Sequence, residues 1–213
     1  MGLIFMLTAA ALLAAGAAIV SHYAQRTALH YVFKPLATLL IVILALLLLP
    51  STPPLYGWLI VAGLLCSLAG DIFLMLPRDR FLAGLTAFLL AHWCYMAAFL
   101  QRTPDPNVML LLPWLAAAAA VLFVLRPPGS MRYAVAVYVG SIVAMAWLAF
   151  ENWRLAGAML AAAGAVLFVC SDFLIGLRRF RGSWPAERAL TLGTYFPAQL
   201  LITHSMGFSG TVH

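Results

Sequence analysis

The sequence predicts an all-α protein, a polytopic integral membrane bundle of about eight transmembrane helices with both termini on the non-cytoplasmic side. Three observations lead there. Hydrophobic residues make up 65% of the 213 and charged residues only 8%, with a mean hydropathy of +1.04, far from the composition of a water-soluble domain. The apolar residues fall in runs long enough to cross a bilayer, which takes about 20 residues per helix, and they lack the alternation of barrel strands. The basic residues lie in alternate connections between those runs.

The first run, 3–20, is apolar from the start and lacks the basic stretch that opens a secretory signal, so it is expected to remain as a helix. Seven more follow at 32–49, 56–76, 81–101, 108–125, 133–149, 155–177 and 190–206. Pro50-Ser51-Thr52-Pro53-Pro54, Pro104-Asp105-Pro106 and Pro127-Pro128-Gly129 mark three of the connections. Nothing of soluble-domain size fits between the runs, so residues 1–213 read as a single transmembrane domain.

Arg26, Arg78, Arg80, Arg126, Arg132, Arg178, Arg179, Arg181 and Arg188 occupy the connections after the first, third, fifth and seventh helices, and only Arg102 and Arg154 occupy the opposite set. Lys and Arg concentrate on the cytoplasmic side of membrane proteins, which sets the orientation. The same distribution excludes nucleic acid as a partner: the net charge of +6 is spread over short connections and forms no basic stripe with interleaved aromatics. Cys66, Cys94 and Cys170 lie inside apolar runs without metal-type or CxxC spacing and read as small apolar residues.

Against this background a few polar residues stand out. Asp71 in Gly70-Asp71-Ile72-Phe73-Leu74 and Asp172 in Ser171-Asp172-Phe173-Leu174-Ile175 each sit near the cytoplasmic end of a run, about five residues or roughly 8 Å of helix rise inside it. Ionisable groups at such positions are costly and mark pathways or sites. The two segments resemble one another, each followed by arginines and a phenylalanine, as a parallel internal repeat would be. Lys34 lies at the cytoplasmic start of the second helix, His92 and Tyr95 lie near the middle of the fourth, and Tyr195 and Gln199, four apart, share a face of the eighth.

Each has a plainer explanation. Lys34 can pair with one carboxylate to fix helix packing, which would neutralise only one of the two, or snorkel to the headgroups. His92, Tyr195 and Gln199 can serve as interhelical hydrogen-bonding groups. No Gly-x-Ser-x-Gly elbow supports a serine hydrolase, and no HExxH or other helical ligand spacing supports a metal site. The sequence therefore calls for neither metal nor cofactor.

Taken together, Phe33-Lys34-Pro35-Leu36 with Thr38, Gly70-Asp71-Ile72-Phe73-Leu74-Met75, Phe81-Leu82-Ala83-Gly84-Leu85 with Phe88 and His92-Trp93-Cys94-Tyr95, Gly164-Ala165-Val166-Leu167-Phe168 with Ser171-Asp172, and Tyr195-Phe196-Pro197-Ala198-Gln199 resemble the YhhN-like lysoplasmalogenase family. The resemblance implies an eight-helix membrane hydrolase that cleaves the vinyl-ether bond of a lysoplasmalogen to a fatty aldehyde and glycerophosphoethanolamine or glycerophosphocholine. It places the family's acidic positions on Asp71 and Asp172, its lysine on Lys34, its histidine on His92, and its late Tyr and Gln on Tyr195 and Gln199. Membrane lipids would surround the bundle, in a bacterial inner membrane, with the site toward the cytoplasmic leaflet.

The chemistry suits two carboxyl groups. A vinyl ether hydrolyses by protonation of its β-carbon to an oxocarbenium ion that water captures, and glycosidases divide a similar task between an acid and a carboxylate. The sequence leaves open which Asp does which, with Asp172 favoured as the acid; His92, Tyr195 and Gln199 would orient water or a carboxyl group, and Lys34 with the arginines would hold the phosphate. Two other classes compete: a proton-coupled transporter using the Asp pair as a relay, and a non-catalytic lipid-binding scaffold.

Overall fold

A computed structural model describes residues 2–207. Among them are eight α-helices: α1 (Gly2–Tyr23), α2 (Thr27–Leu48), α3 (Pro54–Met75), α4 (Phe81–Leu100), α5 (Leu112–Leu125), α6 (Arg132–Ala156), α7 (Met159–Arg181) and α8 (Glu187–His204). Short 3-10 turns follow α2 and α8 and precede α5. The described residues contain no strand, as expected where every backbone group must be satisfied without water.

The breakers act where the sequence places them. Pro54 opens α3 and Pro113 sits in the first turn of α5, positions where a helix loses nothing from a missing N–H. Gly157, at φ 74°, closes α6 in the left-handed conformation with its N–H on the Trp153 carbonyl.

The boundaries differ from expectation where polar residues continue a helix. α2 begins at Thr27 rather than 32, so Lys34 stands two turns inside it. α6 runs to Ala156 rather than 149, because Glu151 is buried and satisfied by Arg154 at 2.7 Å and by the Asn107 N–H at 2.8 Å. α7 continues to Arg181 rather than 177, so Asp172 lies nine residues from its helix end, whereas Asp71 lies four from the end of α3.

α1 packs on α2, α3 on α4 and α7 on α8 as close sequential pairs, and α4 and α6 join α3 to α7. α8 also reaches α1, α2 and α3. Seven of the helices are long and apolar enough to cross a membrane; α8 is not among them. Its polar side chains Thr191, Tyr195, Gln199 and Thr203 are buried within the bundle, where neighbouring helices supply partners for some of them.

Candidate active site

The two aspartates occupy separate centres. Asp71 on α3 is 1% exposed and faces α2 and α8. Its Oδ1 takes the Lys34 ammonium at 3.0 Å, and its Oδ2 accepts from the Thr38 hydroxyl at 2.6 Å and the Tyr195 hydroxyl at 2.7 Å. The network continues behind Tyr195. Gln199 Nε2 donates to the Tyr195 oxygen at 3.3 Å, and the Tyr95 hydroxyl donates to Gln199 Oε1 at 2.7 Å. Helices α2, α3, α4 and α8 are thus joined through one carboxylate, and a buried charge of this kind persists only with such a full set of partners.

Asp172 on α7 is held differently. The Tyr138 hydroxyl of α6 donates to its Oδ2, and His92 Nε2 of α4 stands 3.6 Å from the same oxygen, beyond hydrogen-bond distance. Its Oδ1 is buried without a partner, as are both ring nitrogens of His92. No lysine or arginine approaches it within ion-pair distance among the described residues. Tyr138 and Phe168 pack edge-on around the imidazole, with ring centroids 5.1 and 5.0 Å away.

The surroundings of the two carboxylates are opposite in character. Asp71, with Lys34, Arg178, Glu187, Arg188, Thr191 and Tyr195, lines a pocket that gathers charged and polar side chains. Asp172 and Tyr138 are the polar members of an otherwise apolar cleft between α4, α5, α6 and α7. Leu74, Phe88 and Ile175 line both. The two pockets therefore meet at one wall, with a carboxyl group on either side. Among the described residues no three His, Cys, Asp or Glu side chains gather as a metal centre needs.

The YhhN family model matches residues 29–206, from the first turn of α2 to beyond the end of α8. The chain belongs to the YhhN family. It is 32% identical over 189 residues to the membrane protein YhhN of Escherichia coli O157:H7, covering 83% of this chain and 86% of that one. It is 35% identical over 153 residues to the human lysoplasmalogenase TMEM86A, covering 68% of this chain and 64% of the relative. A third relative, the human lysoplasmalogenase TMEM86B, is 35% identical over 155 residues, 70% of this chain and 64% of its own. No solved structure matches the chain.

In this YhhN-family chain all six residues singled out from the sequence fall at the two centres, Lys34, Tyr195 and Gln199 with Asp71 and His92 with Asp172. Lys34 and Asp71 form the helix-fixing pair, which leaves Asp172 as the carboxylate without such a partner. The two segments that resemble one another in sequence end in unlike surroundings. Tyr138, the hydrogen-bond donor to Asp172, escaped the sequence reading, since a lone tyrosine in an apolar run carries no spacing signal. Thr38 entered only as part of a motif, and its bond to Asp71 is a tertiary fact.

Proposed function

We propose that this protein is a lysoplasmalogenase, an ether hydrolase acting on a 1-alkenyl lysophospholipid taken from the surrounding membrane. One observation carries the reading: a polar pocket and an apolar cleft meet at Leu74, Phe88 and Ile175, with Asp71 on the polar side and Asp172 on the apolar side. A lysoplasmalogen has the same order along its length, from head group and glycerol through the ether oxygen and α-carbon to the β-carbon and chain. Laid across the wall, it puts the β-carbon nearer Asp172 and the α-carbon nearer Asp71.

The roles follow from the partners. Asp172 has no strong cation beside it and one unpaired oxygen in an apolar cleft, where an unpaired charge is expensive, and it supplies the proton to the β-carbon. The alkenyl π electrons form the new C–H bond, and the resulting oxocarbenium ion is stabilised by nearby carboxylate. Asp71, paired with Lys34 and accepting from two hydroxyls, accepts the proton of a water beside Tyr195 as that water adds to the α-carbon. The hemiacetal then collapses to the fatty aldehyde and the glycerophospho alcohol, its hydroxyl proton going to the leaving glycerol oxygen, and the proton taken up by Asp71 is passed back to Asp172. Tyr138 and His92 orient the acid, and Gln199 orients Tyr195.

Release of aldehyde from 1-alkenyl-glycerophosphoethanolamine by detergent-purified protein tests this reading. Asp172→Asn, with an unchanged melting curve, is expected to lose 100-fold or more in turnover, in keeping with the weight of a general acid. In heavy water the aldehyde should carry one deuterium at the carbon next to the carbonyl, and in ¹⁸O-water the glycerophospho product should carry no label. Near-wild-type turnover in Asp172→Asn would refute the mechanism, and flux across liposomes without product would favour the transporter.

The proposal places the protein in a bacterial inner membrane with the site opening to the cytoplasmic leaflet and α8 as the eighth crossing. A reporter enzyme active only outside the cytoplasm, fused after His213, is then active. If it is inactive there, α8 does not cross.

A further inference from the structure

We infer that the cavity between the α1–α2 turn and the start of α8 is a phosphate site that anchors the head group of the lipid through Arg188; the assignment rests on the lysoplasmalogenase reading for its substrate. Lys34, the cation the sequence offers for a phosphate, is committed to Asp71 at 3.0 Å. A second cation must therefore serve. Arg188 lines both the polar pocket that holds Asp71 and a neighbouring cavity that Ser21, His22, Thr27 and His30 also line.

Two features point to an anion. The Nε–H of Arg188 is buried with no partner, and the guanidinium makes no hydrogen bond or ion pair among the described residues; Glu187 directs its own ion pair to Arg178 at 3.8 Å. An unsatisfied buried donor is costly and calls for a ligand or water. No carboxylate lines the cavity, so a cationic ligand has nothing to meet there. A planar guanidinium fork suits two phosphate oxygens. Leu74 lines this cavity as well as the polar pocket and the apolar cleft, so a head group held here adjoins the pockets of both carboxylates.

The exposed group of Arg78, Arg80 and Arg179 near the α3–α4 turn competes for the same role, but there Asp79 takes Arg179 at 2.8 Å. Binding, measured without turnover, distinguishes them. The probes are a 1-O-alkyl lysophosphoethanolamine, which lacks the double bond and is not cleaved, the chain-matched 1-O-alkylglycerol, which lacks the phosphate, and free glycerophosphoethanolamine. Wild-type protein should bind the alkyl lysophospholipid at least ten-fold more tightly than the alkylglycerol. Arg188→Gln should abolish that difference and leave the alkylglycerol unchanged; Arg188→Lys, which keeps the charge, should retain part of it.

Arg188-dependent binding of free glycerophosphoethanolamine would make the site a product site as well, and its absence with intact lipid binding would mean that the chain is needed for capture; both support the assignment. Equal affinity of folded Arg188→Gln and wild type for the phospholipid would overturn it. So would a loss of affinity in Arg78→Gln/Arg80→Gln with none in Arg188→Gln or Arg188→Lys. Because no bond is cleaved in these measurements, a protein that binds the phosphate and fails to release aldehyde would refute the hydrolase and leave the anion site standing.

Discussion

Removing the Lys34 ammonium while leaving Asp71 in place tests how far that ion pair carries the bundle. Both groups are nearly inaccessible, at 4% and 1% exposure, and lie 3.0 Å apart. Breaking such a pair from one side leaves an uncompensated buried charge and costs about 3–5 kcal/mol. In a chain of this size about 1 kcal/mol shifts the melting temperature by about 2–4 °C, so Lys34→Met should melt about 6–20 °C below wild type. Lys34→Met/Asp71→Asn removes both charges while Thr38 and Tyr195 can still donate to the Asn carbonyl oxygen, and it should recover most of the loss. Thermal unfolding in detergent, followed by circular dichroism, reads both variants. The double variant should regain stability without regaining turnover, because the carboxylate that accepts the proton of water is gone. A single variant melting within about 2 °C of wild type, or a double variant no more stable than the single, would refute the reasoning.

Other expectations follow from particular contacts. Tyr138→Phe removes the hydrogen bond to Asp172, and since a bond between neutral groups is worth about 0.5–1.5 kcal/mol turnover should fall about two- to ten-fold, read by aldehyde release with the melting curve as control. A Cβ on Gly84 would stand 2.5 Å from Leu74 Cδ2, a flexible end that can give way toward the pockets it lines; Gly84→Ala should cost less than about 1 kcal/mol in stability yet raise KM several-fold. A Cβ on Gly164 would stand 2.8 Å from the Ala198 carbonyl oxygen, backbone that cannot move aside, so Gly164→Ala should cost about 1–3 kcal/mol by the same unfolding assay. The Asp79 carboxyl is held below its ordinary value by Arg179 and by the Phe81 N–H, so its contribution is present at neutral pH and lost on acidification below about 4. It is fully exposed, and Asp79→Asn should leave the melting temperature within about 1 °C.

The sequence by itself determined the class of the protein and the positions of its helices. Apolar runs of membrane-crossing length admit helices and little else once backbone groups must pair internally, and prolines set the breaks. Its candidate residues were legible because polar groups are rare in such runs, so that Asp71, Asp172, Lys34, His92, Tyr195 and Gln199 stood out one by one. Helix ends were less legible, since Glu151 and Asn152 look like the end of a span to a reading of hydropathy and are buried within α6. The pairing of these residues belongs to the tertiary structure alone. Whether Lys34 meets Asp71 or Asp172 depends on which helices pack side by side and on the rotation of each about its axis, and neither is written in local composition. The same packing gave Asp71 a cation and two hydroxyls, left Asp172 with a tyrosine and an imidazole beyond hydrogen-bond reach, and opened a polar pocket against an apolar cleft between them. Two carboxylates alike in sequence became unlike in chemistry because their neighbours come from different helices.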